Sequence, residues 1–192
     1  MKHIGLFFGS YNPLHIGHLI IGSYFAEFTD LNEVWFVVTP QNPLKQKNAM
    51  LEDHQRLHLV RLATEDSITL KACDIEFHLP MPSYTINTLV NLEEKYSDKK
   101  FSLIMGADNY LSLHKWKNYQ LIRQKYNLYV YPRKSFEDIQ TDADKNVIFA
   151  PAPLIELSSS FIREAIKNKK NVRYMLPEKV YNYISEMHFY EK

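Results

Sequence analysis

The order of apolar segments predicts an α/β fold, a doubly wound parallel sheet with two C-terminal helices. Three observations predict it. Short apolar runs alternate with longer amphipathic ones, and that order means parallel strands joined by helical crossovers. The short runs are apolar throughout, as in strands covered on both faces. The last two amphipathic runs follow the last apolar run and so lie after the sheet.

Ile4–Phe8 reads as the first strand, ended by Gly9. His15–Phe28 reads as a helix with Ile16, Leu19, Ile20 and Tyr24 on one stripe. Val34–Val38 is the second strand, with Trp35 in the core and Pro40 as its stop. Leu51–Thr64 is helical, with Leu57, Val60 and Arg61 at helix spacing. Ile68–Cys73 is the third strand, and Thr85–Tyr96 is a helix with Ile86, Leu89, Val90 and Leu92 inward. Phe101–Met105, ending at Gly106, is the fourth strand. Leu128–Tyr131 and Val147–Phe149 complete the sheet. Ser160–Asn168 is one C-terminal helix. Pro177 opens the other, carrying Val180, Tyr183, Ile184 and Met187. Ligands of open α/β sheets sit beyond the carboxyl ends of the strands. Chemistry is therefore expected just after Phe8, Val38, Met105 and Tyr131.

Composition excludes several classes. The 192 residues suit a single domain over 1–192. Hydrophobic residues at 45% and charged residues at 23% are ordinary globular values. Lys plus Arg number 23 against 22 acidic residues, a net charge of +1. That balance argues against binding a nucleic-acid backbone. The lone Cys73 can form no internal disulfide and fits a reducing compartment. No stretch approaches the roughly 20 apolar residues of a membrane span, and the opening run is too short for a signal peptide. A cytoplasmic protein without membrane or nucleic-acid partners is expected.

The loop after the first strand reads Gly9-Ser-Tyr-Asn-Pro-Leu-His-Ile-Gly-His18. It holds neither the dinucleotide fingerprint nor the Walker loop. His15 and His18 share a face where a helix begins, and Gly17 between them admits close approach to the backbone. A helix N-terminus suits a phosphate. Two imidazoles beside it can donate hydrogen bonds to developing negative charge. Two histidines without a third ligand make a poor zinc site. His54 and His58 lack the glutamate of a zinc-protease helix and read as an ordinary helix face.

Gly9-Ser10-x-Asn12-Pro13 followed by His15-Ile16-Gly17-His18 resembles the signature loop of the (H/T)xGH nucleotidyltransferase superfamily. Downstream, Leu157-Ser-Ser-Ser-Phe-Ile-Arg163 resembles its I-S-S-T-x-x-R segment, in the expected order and separation. Pro82-Ser-Tyr-Thr-Ile-Asn-Thr88 is similar to the S-Y-T-x-x-T segment of bacterial nicotinate-mononucleotide adenylyltransferases. Met105-Gly-Ala-Asp-Asn109 followed by Trp116 matches their G-A-D…W region, and Val172–Ile184 looks like their closing segment. The resemblance covers nearly the whole chain. Phe8 stands where the family often has a glycine, Tyr11 replaces Phe, and Ser160 replaces Thr. Leu44 precedes Lys45 where many members have His.

The resemblance implies a Rossmann-like nucleotidyltransferase fold. It implies adenylyl transfer from ATP to nicotinate mononucleotide, giving deamido-NAD and pyrophosphate by direct in-line displacement. Pantetheine-phosphate adenylyltransferase and a non-catalytic nucleotide-binding sensor of the same fold are the alternatives. The implied catalytic residues are His15, His18 and Arg163. ATP falls to Gly9, Ser10, Gly17, Gly106 and Asp108, with Ser158, Ser159 and Ser160 as helix cap and phosphate contacts. Asp108 stands where a carboxylate can take ribose hydroxyls. The mononucleotide falls to Asn12, Lys45, Tyr84, Thr85, Trp116 and Arg133. Of these, Trp116 can stack a pyridine ring, and the helix start at Thr85 can receive a carboxylate. Magnesium is expected with the ATP phosphates, since no carboxylate cluster suggests a protein-held metal.

Overall fold

Strand β1 (Lys2–Gly9) lies inside a six-stranded, wholly parallel sheet. Ile4 and Leu6 pack on one face and Phe7 on the other. That two-sided burial is why the strand is apolar without alternation. The computed structural model describes residues 1–40, 50–134 and 144–192. The other strands are β2 (Glu33–Val38), β3 (Leu70–Cys73), β4 (Lys99–Gly106), β5 (Leu128–Tyr131) and β6 (Val147–Phe149). Their spatial order is β3-β2-β1-β4-β5-β6. The winding reverses between β1 and β4, where Lys2–Phe7 lies beside Lys99–Ile104. A crevice opens beyond the carboxyl ends of such a pair.

Helices α1 (Ile16–Phe28) and α2 (Asp53–Thr64) cover one face through Ile21, Phe25, Leu57 and Val60. Helix α3 (Thr85–Lys95), the short α4 (Ala107–Leu111) and α5 (Tyr119–Lys125) cover the other. Helices α6 (Ser159–Lys167) and α7 (Glu178–Glu186) pack against α2 through a third cluster of Leu59, Ile162, Val180 and Ile184. The doubly wound sheet and its two C-terminal helices are present as expected. Among the described residues, no helix is long and apolar enough to cross a membrane.

Several inward faces differ from those the spacing predicts. In α1 the buried residues are Gly17, Ile21, Gly22 and Phe25, while Ile20 is exposed. A Cβ at Gly22 would come within 2.6 Å of the Phe36 ring, so that bare position lets the helix lie close on β2. Arg61 faces solvent and pairs with Asp74. Val90 and Met187 are also outward. Ile68 is exposed and precedes β3, in a turn where Ser67 Oγ accepts the Leu70 N–H at 2.9 Å.

The inward cation of α2 is Arg56, which is fully buried. It donates to the carbonyls of Ser10 at 2.5 Å, Thr39 at 3.0 Å, Leu51 at 3.1 Å and Pro40 at 3.3 Å. It also pairs with Asp53. A buried guanidinium is tolerable only when saturated in this way. One side chain thus ties the loop after β1, the end of β2 and the lead into α2. Arg56→Leu leaves those carbonyls unpaired and should cost about 3 kcal/mol. Urea unfolding should show a lower midpoint with an unchanged slope. An unchanged midpoint would mean that water replaces the guanidinium at no cost.

Candidate active site

The loop from Gly9 to His15 leaves β1 and turns into α1. Tyr11 holds a left-handed backbone, φ 47°, which costs a large residue about 1–2 kcal/mol. Its hydroxyl donates to the Phe7 carbonyl, and its ring packs edge-on against Phe7, His18 and Phe36. The Asn12–Pro13 bond is cis. The Asn12 carbonyl accepts from Arg163 Nη1 at 2.7 Å, and the Pro13 carbonyl from Ser159 Oγ at 2.9 Å. The amino end of α6 is thereby fastened to the loop.

His15 is the N-cap of α1. Its ring stacks on His18 with centroids 3.8 Å apart. His18 Nδ1 accepts the His15 backbone N–H at 3.2 Å, so in the neutral ring the proton sits on Nε2. His15 Nδ1 is buried and without a hydrogen-bond partner. A Cβ on Gly17 would stand 3.0 Å from that nitrogen and 2.7 Å from Ile155 Cγ2. The stacked pair therefore requires glycine at 17. Burial, then the nearby Arg133 charge, lowers the His15 pKa to about 4. Burial, then His15 and Arg133, holds His18 well below its ordinary value. Both rings are neutral at pH 7.

A cavity of about 330 Å³ opens over this turn, between the loop and α6. Gly9, Ser10, Asn12, His15, Gly17, His18, Arg133, Ser158, Ser159, Ser160 and Arg163 all border it. Arg163 also donates to Ser160 Oγ at 3.3 Å, while Ser158 Oγ caps α6 by accepting the Phe161 N–H at 3.2 Å. Arg133 donates to Tyr131 Oη at 3.0 Å, and its Nε lies 3.7 Å from Asp108. Gly106 and Asp108 thus stand beside a wall residue rather than on the wall. Tyr84, Thr85 and Trp116 lie apart from this cavity. Tyr84 and Thr85 open α3, with Lys117 Nζ 4.2 Å above the Tyr84 ring, and Trp116 is half-buried against the core. Lys45 falls outside the described residues.

Five wall residues have no motif to announce them: Phe7, Ile21, Met50, Tyr131 and Ile155. Nor does Arg56, though it lies four residues before the inward Val60, and that spacing is a usable signal. Among the described residues, no three His, Cys, Asp or Glu side chains gather as a metal-holding group. The donor set therefore fits a cation carried in on phosphate, not one caged by protein. Cys73 is buried and unpaired, and burial pushes its thiol up to about 11. It is no nucleophile.

A switch-point crevice with neutral imidazoles and two guanidinium groups marks a nucleotide-handling α/β protein, and residues 6–165 match the Cytidylyltransferase-like family model. A Flavobacterium psychrophilum protein named "Probable nicotinate-nucleotide adenylyltransferase" is 56% identical over 191 residues, covering 98% of this chain and 99% of its own. A protein of the same name from Bacteroides thetaiotaomicron is 44% identical over 95% of this chain and 90% of its own. The fold matches Plasmodium falciparum nicotinic acid mononucleotide adenylyltransferase complexed with NaAD, at a TM-score of 0.78 and 18% identity. That match covers 100% of this chain and 98% of the other. The chain belongs to the cytidylyltransferase-like family and, within it, to the nicotinate-nucleotide adenylyltransferases.

The buried rings have a measurable consequence. Unfolded, both take a proton near pH 6.5, while His15 in the fold resists until about 4. The unfolded chain therefore binds more protons in that window, and stability falls as pH drops through it. Below about 4 the share owed to His15 levels off. His15→Gln should flatten the loss between those limits, and NMR titration should place His15 near 4. A midpoint at the ordinary histidine value would mean that the ring is solvated.

Proposed function

We propose that the chain, acting as one domain over 1–192, transfers the adenylyl group of ATP to nicotinate mononucleotide. The products are deamido-NAD and pyrophosphate. The carrying observation is the pair of stacked, neutral imidazoles that share the wall of one cavity with Arg133 and Arg163. The named relatives supply the acceptor.

In this reading the triphosphate lies over the amino ends of α1 and α6, whose free N–H groups favour phosphate. Gly9, Ser10 and Gly17 give it close backbone approach, while Asp108, beside Gly106, takes ribose hydroxyls. An oxygen of the mononucleotide phosphate attacks the α-phosphorus. The bond to the β-phosphate oxygen breaks, and pyrophosphate leaves with the electron pair. The attacking oxygen is anionic at neutral pH, so no general base is needed. The task left to the protein is alignment and charge neutralisation.

His18 donates its Nε2 proton to the α-phosphate as charge grows there. The His15 amide on Nδ1 holds that tautomer. His15 lies beside it against the phosphates. Arg163 and the Ser158–Ser160 turn hold the leaving pyrophosphate. Asn12, Lys45 and Arg133 serve the mononucleotide phosphate, and Tyr84, Thr85 and Trp116 its pyridine end. Magnesium arriving with the triphosphate would supply neutralisation of phosphate charge when bound. The buried, unpaired Cys73 thiol supports a cytoplasmic setting.

His18→Ala should lower turnover about 10²–10³-fold, roughly 3–4 kcal/mol in barrier, while the chain still folds. Near-normal turnover in that variant would remove His18 from the mechanism. Pyrophosphate release with nicotinate mononucleotide, its amide counterpart and phosphopantetheine tests the acceptor. We expect at least about tenfold higher kcat/KM for the first, a gap of about 1.4 kcal/mol. Release with another acceptor alone would move the function and keep the chemistry. ATP binding without any release would make the chain a sensor.

A further inference from the structure

The segment after α7 turns back toward the loop at the cavity. His188 and Tyr190 have left-handed backbones, φ 53° and 67°. The Phe189 N–H donates to the Ile184 carbonyl at 3.1 Å, and the Phe189 ring packs on Tyr183 with centroids 5.8 Å apart. This turn brings the Tyr190 phenol to Asn12, where its O–H donates to Oδ1 at 2.8 Å. The same oxygen accepts the Leu51 N–H at 3.2 Å. Burial pushes the phenol up, against the opposing pull of Arg163 and Arg56. Tyr190 therefore remains a hydrogen-bond donor at physiological pH.

Asn12 is held at both ends. Its side chain is tied to the tail by Tyr190, and its carbonyl accepts from Arg163 Nη1 at 2.7 Å. Without the phenol, Oδ1 still accepts the Leu51 N–H, so Asn12 stays in place but is held less firmly, and the guanidinium that leans on its carbonyl is held less firmly with it. We propose that Tyr190 is a positioning residue: through Asn12 it sets the loop backbone and Arg163 against the triphosphate, a role that rests on the adenylyl-transfer reading of the cavity. Tyr190 is not among the residues bordering that cavity, so its hydrogen bond reaches the cavity through Asn12.

Tyr190→Phe keeps the ring and its packing and removes only the donor. We expect kcat/KM for ATP to fall about 5–10-fold, the scale of one lost hydrogen bond. The KM for nicotinate mononucleotide should rise as well, since Asn12 also serves its phosphate, while the thermal midpoint should fall by no more than about 4 °C. Calorimetric binding of a non-hydrolysable ATP analogue should weaken by a similar factor. Tyr190→Phe added to Asn12→Ala should be no worse than Asn12→Ala alone. If Asn12→Ala does not fold, the single variant's analogue affinity decides.

Unchanged analogue affinity and kcat/KM in Tyr190→Phe would overturn the role. So would a loss confined to the thermal midpoint, or additive losses in the double variant. A wild-type chain that binds the analogue yet releases no pyrophosphate overturns the proposed function alone, and the affinity comparison still tests Tyr190.

Discussion

Around the cavity, backbone carbonyls that the sheet and helices do not use must find donors elsewhere. A buried carbonyl without a partner costs about as much as a lost hydrogen bond. Here four are taken by side chains: Phe7 by Tyr11, Ser10 by Arg56, Asn12 by Arg163, Pro13 by Ser159. The strained backbone of Tyr11 persists because those bonds over-determine it. The placement of both histidines follows from that loop. His15 caps α1 where the loop ends, and His18 stands one turn further, wedged against Tyr11 and Phe7.

The same loop sets up an electrostatic imbalance. Two guanidinium groups border a cavity whose histidines are kept neutral. Protonating either ring would add charge to a buried place already beside Arg133. The Asp108 carboxylate nearby is half-exposed, so it neutralises Arg133 only weakly. An anion entering the cavity meets donors already oriented and repels no resident charge. That arrangement favours polyphosphate over a neutral ligand and needs no reorganisation as charge shifts along the phosphates.

Much of this was legible in the chain. The crossover order and the apolar strands revealed the sheet, because burial on both faces leaves a run that alternation cannot mimic. The His15-x-Gly17-His18 turn was legible because strand end, glycine and paired imidazoles stand together in sequence. The inward side of α1 was not. Ile20 looks as apolar as Ile21, and only the close approach of Gly22 to Phe36 decides between them. The burial of Arg56 is hard to read from the chain, because cations on a helix are ordinarily solvated. Its burial depends on carbonyls from two distant segments, Ser10 and Thr39–Pro40. Tyr190 meets Asn12 across 178 residues, a distance no local periodicity spans.

Those long-range ties make the cavity depend on the docking of the C-terminal helices. Its walls need α6 docked on the loop through Arg163 and Ser159, and α6 in turn shares a core with α2 and α7. The sheet's own two cores are built from other residues. Local opening is cheapest where few apolar contacts must be broken. The cluster that seats α6 and α7 is smaller than either core on the sheet. A ligand bridging Arg163 and the loop adds its binding free energy to the docked state alone. Occupancy of the cavity and docking of the C-terminal helices are therefore one coupled equilibrium. A ligand held there would reinforce the hydrogen bonds that shape the wall.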